Sequence, residues 1–169
     1  MEGRRCIVGK SILYHGSNME VSNPKILSKL RALDFGAGFY LTSSKEQALK
    51  WAKTVAKRRK IGKPTLNIYE FDEKMYVDLS VLKFDAPNGE WLDFVVANRK
   101  ELAQGDSYDL VIGPVANDST LPVIDDYMDG RYTKQQAVER LMPQNLTDQY
   151  AFLTEKALRA LSFKRSEVL

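Results

Sequence analysis

Three short stretches hold the residues best suited to chemistry: Tyr14-His15-Gly16-Ser17, Gly38-Phe39-Tyr40 with Trp51 beyond it, and Gln149-Tyr150-Ala151-Phe152. His15 is the chain's one histidine, and Gly16 after it offers a backbone N–H and C=O unobstructed by a side chain. Tyr40 and Trp51 lie 11 residues apart, one ending an expected strand and the other on the helix that follows. Two flat rings so placed can face each other across a slot for a planar heteroaromatic ring, above all a cationic one. An imidazole suits a sugar hydroxyl, and a bare backbone pair suits a primary carboxamide. A planar cationic ring bearing a carboxamide and joined to ribose is the nicotinamide end of NAD. Singly, each residue has a plainer explanation: a hydrogen-bonding histidine, a core aromatic on a strand, the large residue of a helix's buried face.

The elements that must position these residues centre on Leu33 to Lys53. Gly36 and Gly38 mark a turn, and Phe39-Tyr40-Leu41 reads as a short aromatic and apolar strand. Ser44 with Gln47 fits a capping box, opening a helix from Lys45 to about Arg59 whose apolar face includes Ala48, Trp51, Ala52 and Val55. Ser11 to Tyr14 reads as a strand ending in a loop at His15-Gly16-Ser17-Asn18, followed by an irregular connector over Lys25 to Ala32. Thr65–Phe71 and Met75–Leu79 read as a hairpin about the turn Asp72-Glu73-Lys74. Asn88 caps a helix expected over Gly89 to Ala103, and Tyr108 to Val115 is a dense β-branched strand. Helical turns around Pro122 and from the Thr133/Gln136 capping box to Leu141 come next. A strand over Gln149–Leu153 and a closing helix over Thr154–Leu161 end the pattern. Strands and helices do not alternate regularly, so the expectation is a single α+β domain over residues 1–169, with mixed or largely antiparallel strands.

Composition sets outer bounds. Of 169 residues, 44% are apolar and 28% charged, ordinary for a globular domain. No apolar run is long enough to span a membrane. Cys6 is the sole cysteine, so neither an internal disulfide nor a cysteine-based zinc site is available, and a cytoplasmic setting with metal-free chemistry is expected. The net charge of +3 is too small to imply nucleic-acid binding, although Lys53, Lys57, Arg58, Arg59, Lys60 and Lys63 cluster. Cations at a helix C-terminus complement its dipole, which explains much of that run.

The chemistry-bearing segments, in this order, resemble the histidine-tyrosine-glutamate branch of the ADP-ribosyltransferases, the branch of diphtheria toxin and the poly-ADP-ribose polymerases. Tyr14-His15-Gly16-Ser17 is similar to that family's Y-H-G-T/S strand and Gly38-Phe39-Tyr40 to its G-F/I-Y strand. Trp51 falls where the family carries a second stacking tyrosine, and Gln149-Tyr150 resembles the final E-Y strand. The remainder of the chain looks more like an uncharacterised group of small bacterial proteins usually placed beside these enzymes. The resemblance implies a split, mixed or antiparallel sheet core with flanking helices, and NAD as substrate. It implies His15 on the adenosine ribose, Gly16 on the carboxamide with Ser17 beside it, Tyr40 and Trp51 about the nicotinamide ring, and Gln149 in the place of the catalytic glutamate. Arg99 is a candidate for the diphosphate, whose oxygens suit its fork, although a helix-surface role is the plainer one.

Gln149 departs from that pattern. An amide can bond a ribose hydroxyl but offers no full negative charge to a developing oxocarbenium ion and no base for an acceptor. Three readings stay open: transfer of one ADP-ribose unit to a macromolecular acceptor that brings its own nucleophile, protein rather than nucleic acid; another acid standing in, with Glu155, Asp148 and Glu70 as candidates; or a module that binds NAD or ADP-ribose without turnover. An RNA 2′-phosphotransferase would need basic side chains that the His15 and Tyr40 segments do not supply. Small transferases of this kind are often toxins or effectors, an association at family level only.

Overall fold

The computed structural model describes residues 9–26, 34–100 and 107–169. Cys6, most of the connector expected up to Ala32, and the last residues of the helix expected to reach Ala103 lie outside them. Two sheets split the strands. The first is antiparallel throughout, in the order β1 (Lys10–Ser17), β3 (Thr65–Asp72), β7 (Leu161–Val168). The second runs β2 (Phe39–Leu41), β6 (Asp148–Phe152), β5 (Leu110–Pro114), β4 (Val81–Lys83), with only the β4–β5 pair parallel. The α+β expectation is met, with mixed and antiparallel pairing. Helices α1 (Lys45–Arg59), α2 (Gly89–Arg99), α3 (Leu121–Met128), α4 (Lys134–Leu141) and the single turn α5 (Glu155–Leu158) flank the sheets. None of the described helices is long and apolar enough to cross a membrane.

Period-two burial builds the layers. Leu13, Tyr69 and Phe71 of the first sheet meet Phe39, Leu41, Leu110, Ile112 and Phe152 of the second in one buried cluster between the sheets. The alternate residues Val111 and Ala151 turn the other way, onto Trp91, Leu92 and Val95 of α2, Ile124 of α3 and Leu141 of α4. Trp91 is fully buried and satisfies its indole N–H on the Pro114 carbonyl at 3.0 Å. On the outer face of the first sheet, Leu66 and Ile68 pack on Ala48 of α1.

Caps act where the sequence placed them. Ser44, Asn88 and Thr133 each accept a backbone N–H from the third residue on, and Thr133/Gln136 completes a reciprocal capping box. Three expectations need correction. His15, Gly16 and Ser17 are not a loop but continue β1, because each pairs in register with Asn67, Leu66 and Thr65. Met75–Leu79 is not a hairpin strand: Asp72 accepts the Lys74 N–H at 3.0 Å and starts a 3-10 turn over Glu73–Asp78, which carries the chain to the second sheet. The expected closing helix shrinks to α5. Beyond it, Leu161 and Phe163 alternate inward against Phe71 and Tyr69 as the edge strand β7.

Candidate functional site

The two sheets touch along β1 and β2, and that seam is where the chemistry-bearing residues gather. Tyr14 exchanges both backbone bonds with Thr42, N–H to O at 2.8 Å and O from N–H at 2.9 Å. In an antiparallel ladder the next such pair would be Gly16 with Tyr40. It does not form. The His15 side chain enters the gap instead and places Nδ1 2.7 Å from the Tyr40 carbonyl oxygen, the acceptor a Gly16 N–H would have used. Because Tyr14 spends its bonds on Thr42, alternation turns the N–H and C=O of Gly16 away from β3 and into the same gap. No described backbone group pairs with them across it.

This geometry fixes the state of the imidazole. A carbonyl only accepts, so Nδ1 carries the proton and Nε2 presents a lone pair. Burial pushes the His15 pKa down to about 4, with the Arg59 charge adding to the effect, and the hydrogen bond to Tyr40 opposes it. At neutral pH His15 is therefore an uncharged acceptor, its ring centre 4.2 Å from that of Phe39 with the two planes tilted by 34°.

Gly16 also has a packing role. A Cβ there would stand 2.2 Å from the Ala48 carbonyl and 2.6 Å from the Ala52 nitrogen, so only glycine lets the α1 backbone press onto β1. Trp51 lies between these two contacts along α1. Trp51 is 46% exposed, with the Arg58 guanidinium 5.5 Å from its ring centre. The helix face reading is corrected here: Ala48, Ala52 and Val55 are the buried residues of α1, and Trp51 stands outside that stripe.

Tyr40 contributes in two directions. Its carbonyl faces β1, whereas its ring turns to the opposite side of the second sheet and packs with the cluster around Phe35. There its hydroxyl donates to Gly36 O at 2.5 Å and accepts the Phe35 N–H at 3.1 Å, and burial raises its pKa well above the usual phenol range. Gly36 has φ of 103°, a backbone that favours glycine. The Tyr40 and Trp51 rings thus belong to different layers and do not present one slot in this structure.

Gln149 lies on β6 opposite Gly113 of β5, with its side chain on the Tyr40 face. Phe84 and Phe35 fill the space a Gly113 side chain would take, with Phe84 Cβ at 3.1 Å and Phe35 Cζ at 3.2 Å from that Cβ position, and Gln149 itself is 8% exposed. Among the described residues its Nε2 is buried without a hydrogen-bond partner, as is Thr147 Oγ1 just before the strand. The three stand-in acids are otherwise engaged or placed. Asp148 accepts from Thr42 Oγ1 at 3.1 Å, from the Ser43 N–H at 2.8 Å and from Ser43 Oγ. Glu70 lies between Lys10 at 2.8 Å and Lys164 at 3.4 Å. Glu155 edges a cavity of about 430 Å³ with Tyr69, Arg159 and Phe163. A second cavity, of about 230 Å³, has Asp148, Lys83 and Tyr150 in its wall. Neither cavity is lined by His15, Tyr40, Trp51 or Gln149.

Arg99 is drawn into a structural ion pair. Its Nε lies 2.8 Å from Asp34 Oδ1 and its Nη1 3.8 Å from Asp125, with Arg99 and Asp34 both largely buried. Ser17 is buried beside the histidine strand end, its hydroxyl 3.4 Å from Asn18 Oδ1. Sequence reasoning passed over Asn18, which is 1% exposed and accepts Arg59 Nη1 at 2.9 Å. A polar residue directly after His15-Gly16-Ser17 was its only signal. Among the described residues no group of three or more histidine, cysteine or acidic side chains is placed to hold a metal.

The family model described as "Protein of unknown function (DUF3990)" matches residues 11–163, and the chain belongs to that family. A search of curated proteins returns no match.

Proposed function

We propose that the β1–β2 seam binds the nicotinamide-ribose end of NAD and that the protein transfers a single ADP-ribose unit to a macromolecular acceptor. The observation that carries this reading is the His15 wedge. One inserted imidazole leaves a neutral Nε2 acceptor for a ribose hydroxyl and frees the Gly16 N–H and C=O, the donor and acceptor a carboxamide needs. Trp51, next to Ala52 on the helix whose backbone touches that glycine, supplies an exposed aromatic face. Tyr40 fixes the histidine through its carbonyl and braces the Phe35 segment through its hydroxyl.

In the transfer, the bond between ribose C1′ and the nicotinamide nitrogen breaks and its electron pair leaves with neutral nicotinamide. The acceptor's nucleophile forms the new bond at C1′ and gives up its proton. Charge builds on the ribose in between, and preorganised groups contribute most at that point. Gln149 carries no charge and its side chain lies on the face of the second sheet opposite to His15, so the acceptor's own nucleophilicity carries more of the reaction.

A second reading, a module that binds NAD or ADP-ribose without turnover, is favoured by one observation: the Gln149 amide is neutral and buried. Incubation with NAD, with chromatography for free nicotinamide and mass spectrometry for an acceptor gaining ADP-ribose, separates the two. Both products support the transferase. Calorimetric binding of NAD without nicotinamide supports the reader. Absence of NAD binding, or an affinity untouched by Trp51→Ala, refutes the shared premise.

A further inference from the structure

We propose that Arg59 is the cation that meets the diphosphate of the dinucleotide, an inference that rests on the NAD reading above. The chain beyond α1 is fastened to the end of the histidine strand by one residue. Asn18 Nδ2 donates to the Ile61 carbonyl at 3.0 Å, its backbone oxygen accepts the Lys63 N–H at 3.0 Å, and its Oδ1 accepts Arg59 Nη1 at 2.9 Å. Gly62, at φ of 74°, lies so close that a Cβ would stand 2.0 Å from the Asn18 oxygen, which leaves the turn little room to shift. Arg59 is therefore a positioned side chain on a fixed turn.

Its partner leaves it charged and available. The Asn18 amide oxygen is neutral and occupies one of five guanidinium N–H donors. Among the described residues no carboxylate pairs with Arg59, whereas Arg99, the arginine the sequence singled out, is held by Asp34 and Asp125. The charge also reaches the reactive seam, since Arg59 is one of the groups holding down the His15 pKa. In a dinucleotide the diphosphate joins the two riboses. A ligand with a ribose against His15 Nε2 carries that anion along the same strand end, where a fork with free donors suits two phosphate oxygens. Support for the helix dipole is the plainer role for Arg59, but it requires neither the buried Asn18 acceptor nor a free fork.

The test compares wild type with Arg59→Gln by calorimetry against NAD, ADP-ribose and nicotinamide riboside, which has no phosphate. The proposal expects NAD and ADP-ribose to weaken by about tenfold or more and nicotinamide riboside to stay within about twofold. It also expects the salt dependence of NAD binding to flatten in the variant. Equal losses for all three ligands would make Arg59 a pin for the helix end and overturn the proposal. So would unchanged NAD affinity in a variant whose wild type binds NAD, and that outcome leaves the NAD reading standing. Wild-type protein that binds none of the three overturns both. Arg59→Lys, which keeps the charge and loses the fork, should fall between the two.

Discussion

Acidification should act on this protein early, through His15. The folded state holds the imidazole neutral with a pKa of about 4, the main cause being burial. In the unfolded chain the same group takes its proton near the ordinary value of about 6.5. Between those values the unfolded state binds more protons than the folded one, so stability falls as pH falls. The contribution is fully present above about pH 6.5 and is lost on the way down to about pH 4. The gap corresponds to about 3 kcal/mol, of which about 1 kcal/mol is gone by about pH 5.5, before most carboxylates titrate. Urea unfolding of wild type and His15→Gln at about pH 7.5 and about pH 5.5 isolates the term, because the variant lacks the titrating group. Wild type should lose stability across that interval and the variant should lose about 1 kcal/mol less. NMR gives an independent reading. With one histidine in the chain, the imidazole C2 proton resonance needs no assignment, and the ring nitrogen shifts identify the tautomer. A midpoint close to 6.5, or a proton on Nε2 at neutral pH, would refute the wedge and with it the acceptor on which the NAD reading depends.

Other consequences concern the residues around the seam. Tyr40→Phe removes the group that accepts the Phe35 N–H and donates to Gly36, and should cost about 1–3 kcal/mol in urea unfolding; an unchanged midpoint would mean the hydroxyl bonds contribute nothing. Arg99→Gln should lower stability and spare NAD affinity, and the double variant with Asp34→Asn should recover part of the loss, since it is Asp34 that is left buried without its partner. Loss of NAD affinity with stability intact would return Arg99 to the nucleotide site. Gln149→Glu places a carboxyl where the amide is 8% exposed. Burial should raise its pKa, so the variant is destabilised by about 1–3 kcal/mol at neutral pH and less near pH 5, where it is protonated. Nicotinamide release should rise in that variant only if the buried carboxyl can reach the ribose.

The sequence disclosed the local pieces better than their assembly. Ser44, Asn88 and Thr133 announce helix starts because a cap needs one side chain and the next three residues. The β7 strand was hidden because an edge strand with one wet face shows only Leu161 and Phe163 inward before Lys164 and Arg165 turn polar. The 3-10 turn after β3 was mistaken for a hairpin because Asp72 serves either, and only the crossing to the second sheet decides. At the site, His15 and Gly16 were legible by type, but their bonding depends on which strand leaves which ladder. Arg99 looked free because Asp34, its partner, lies 65 positions away in sequence. Arg59 looked like one cation of a run until Asn18 was seen to hold it.

One question left by the seam is why its ladder stops after a single pair, and the answer is testable. Beyond Tyr14–Thr42, β2 pairs with β6 through Leu41–Tyr150 and Phe39–Phe152, while the Tyr40 carbonyl still faces β1. The backbone groups for one more pair, Gly16 with Tyr40, are present on both sides, and the imidazole occupies the acceptor between them. If His15 is what holds the strands apart, His15→Ala should let them close. The Gly16 and Tyr40 amides would then pair and exchange with solvent at least about tenfold more slowly than in wild type. Nicotinamide riboside and NAD should both stop binding, a broader loss than removal of one hydrogen bond explains, because the carboxamide's partners would be taken by each other. Should the two amides exchange at the wild-type rate in a folded variant, some other feature keeps the seam open. The leading cause would then be the packing of α1 on Gly16, where the Ala48 carbonyl and the Ala52 nitrogen stand against the strand.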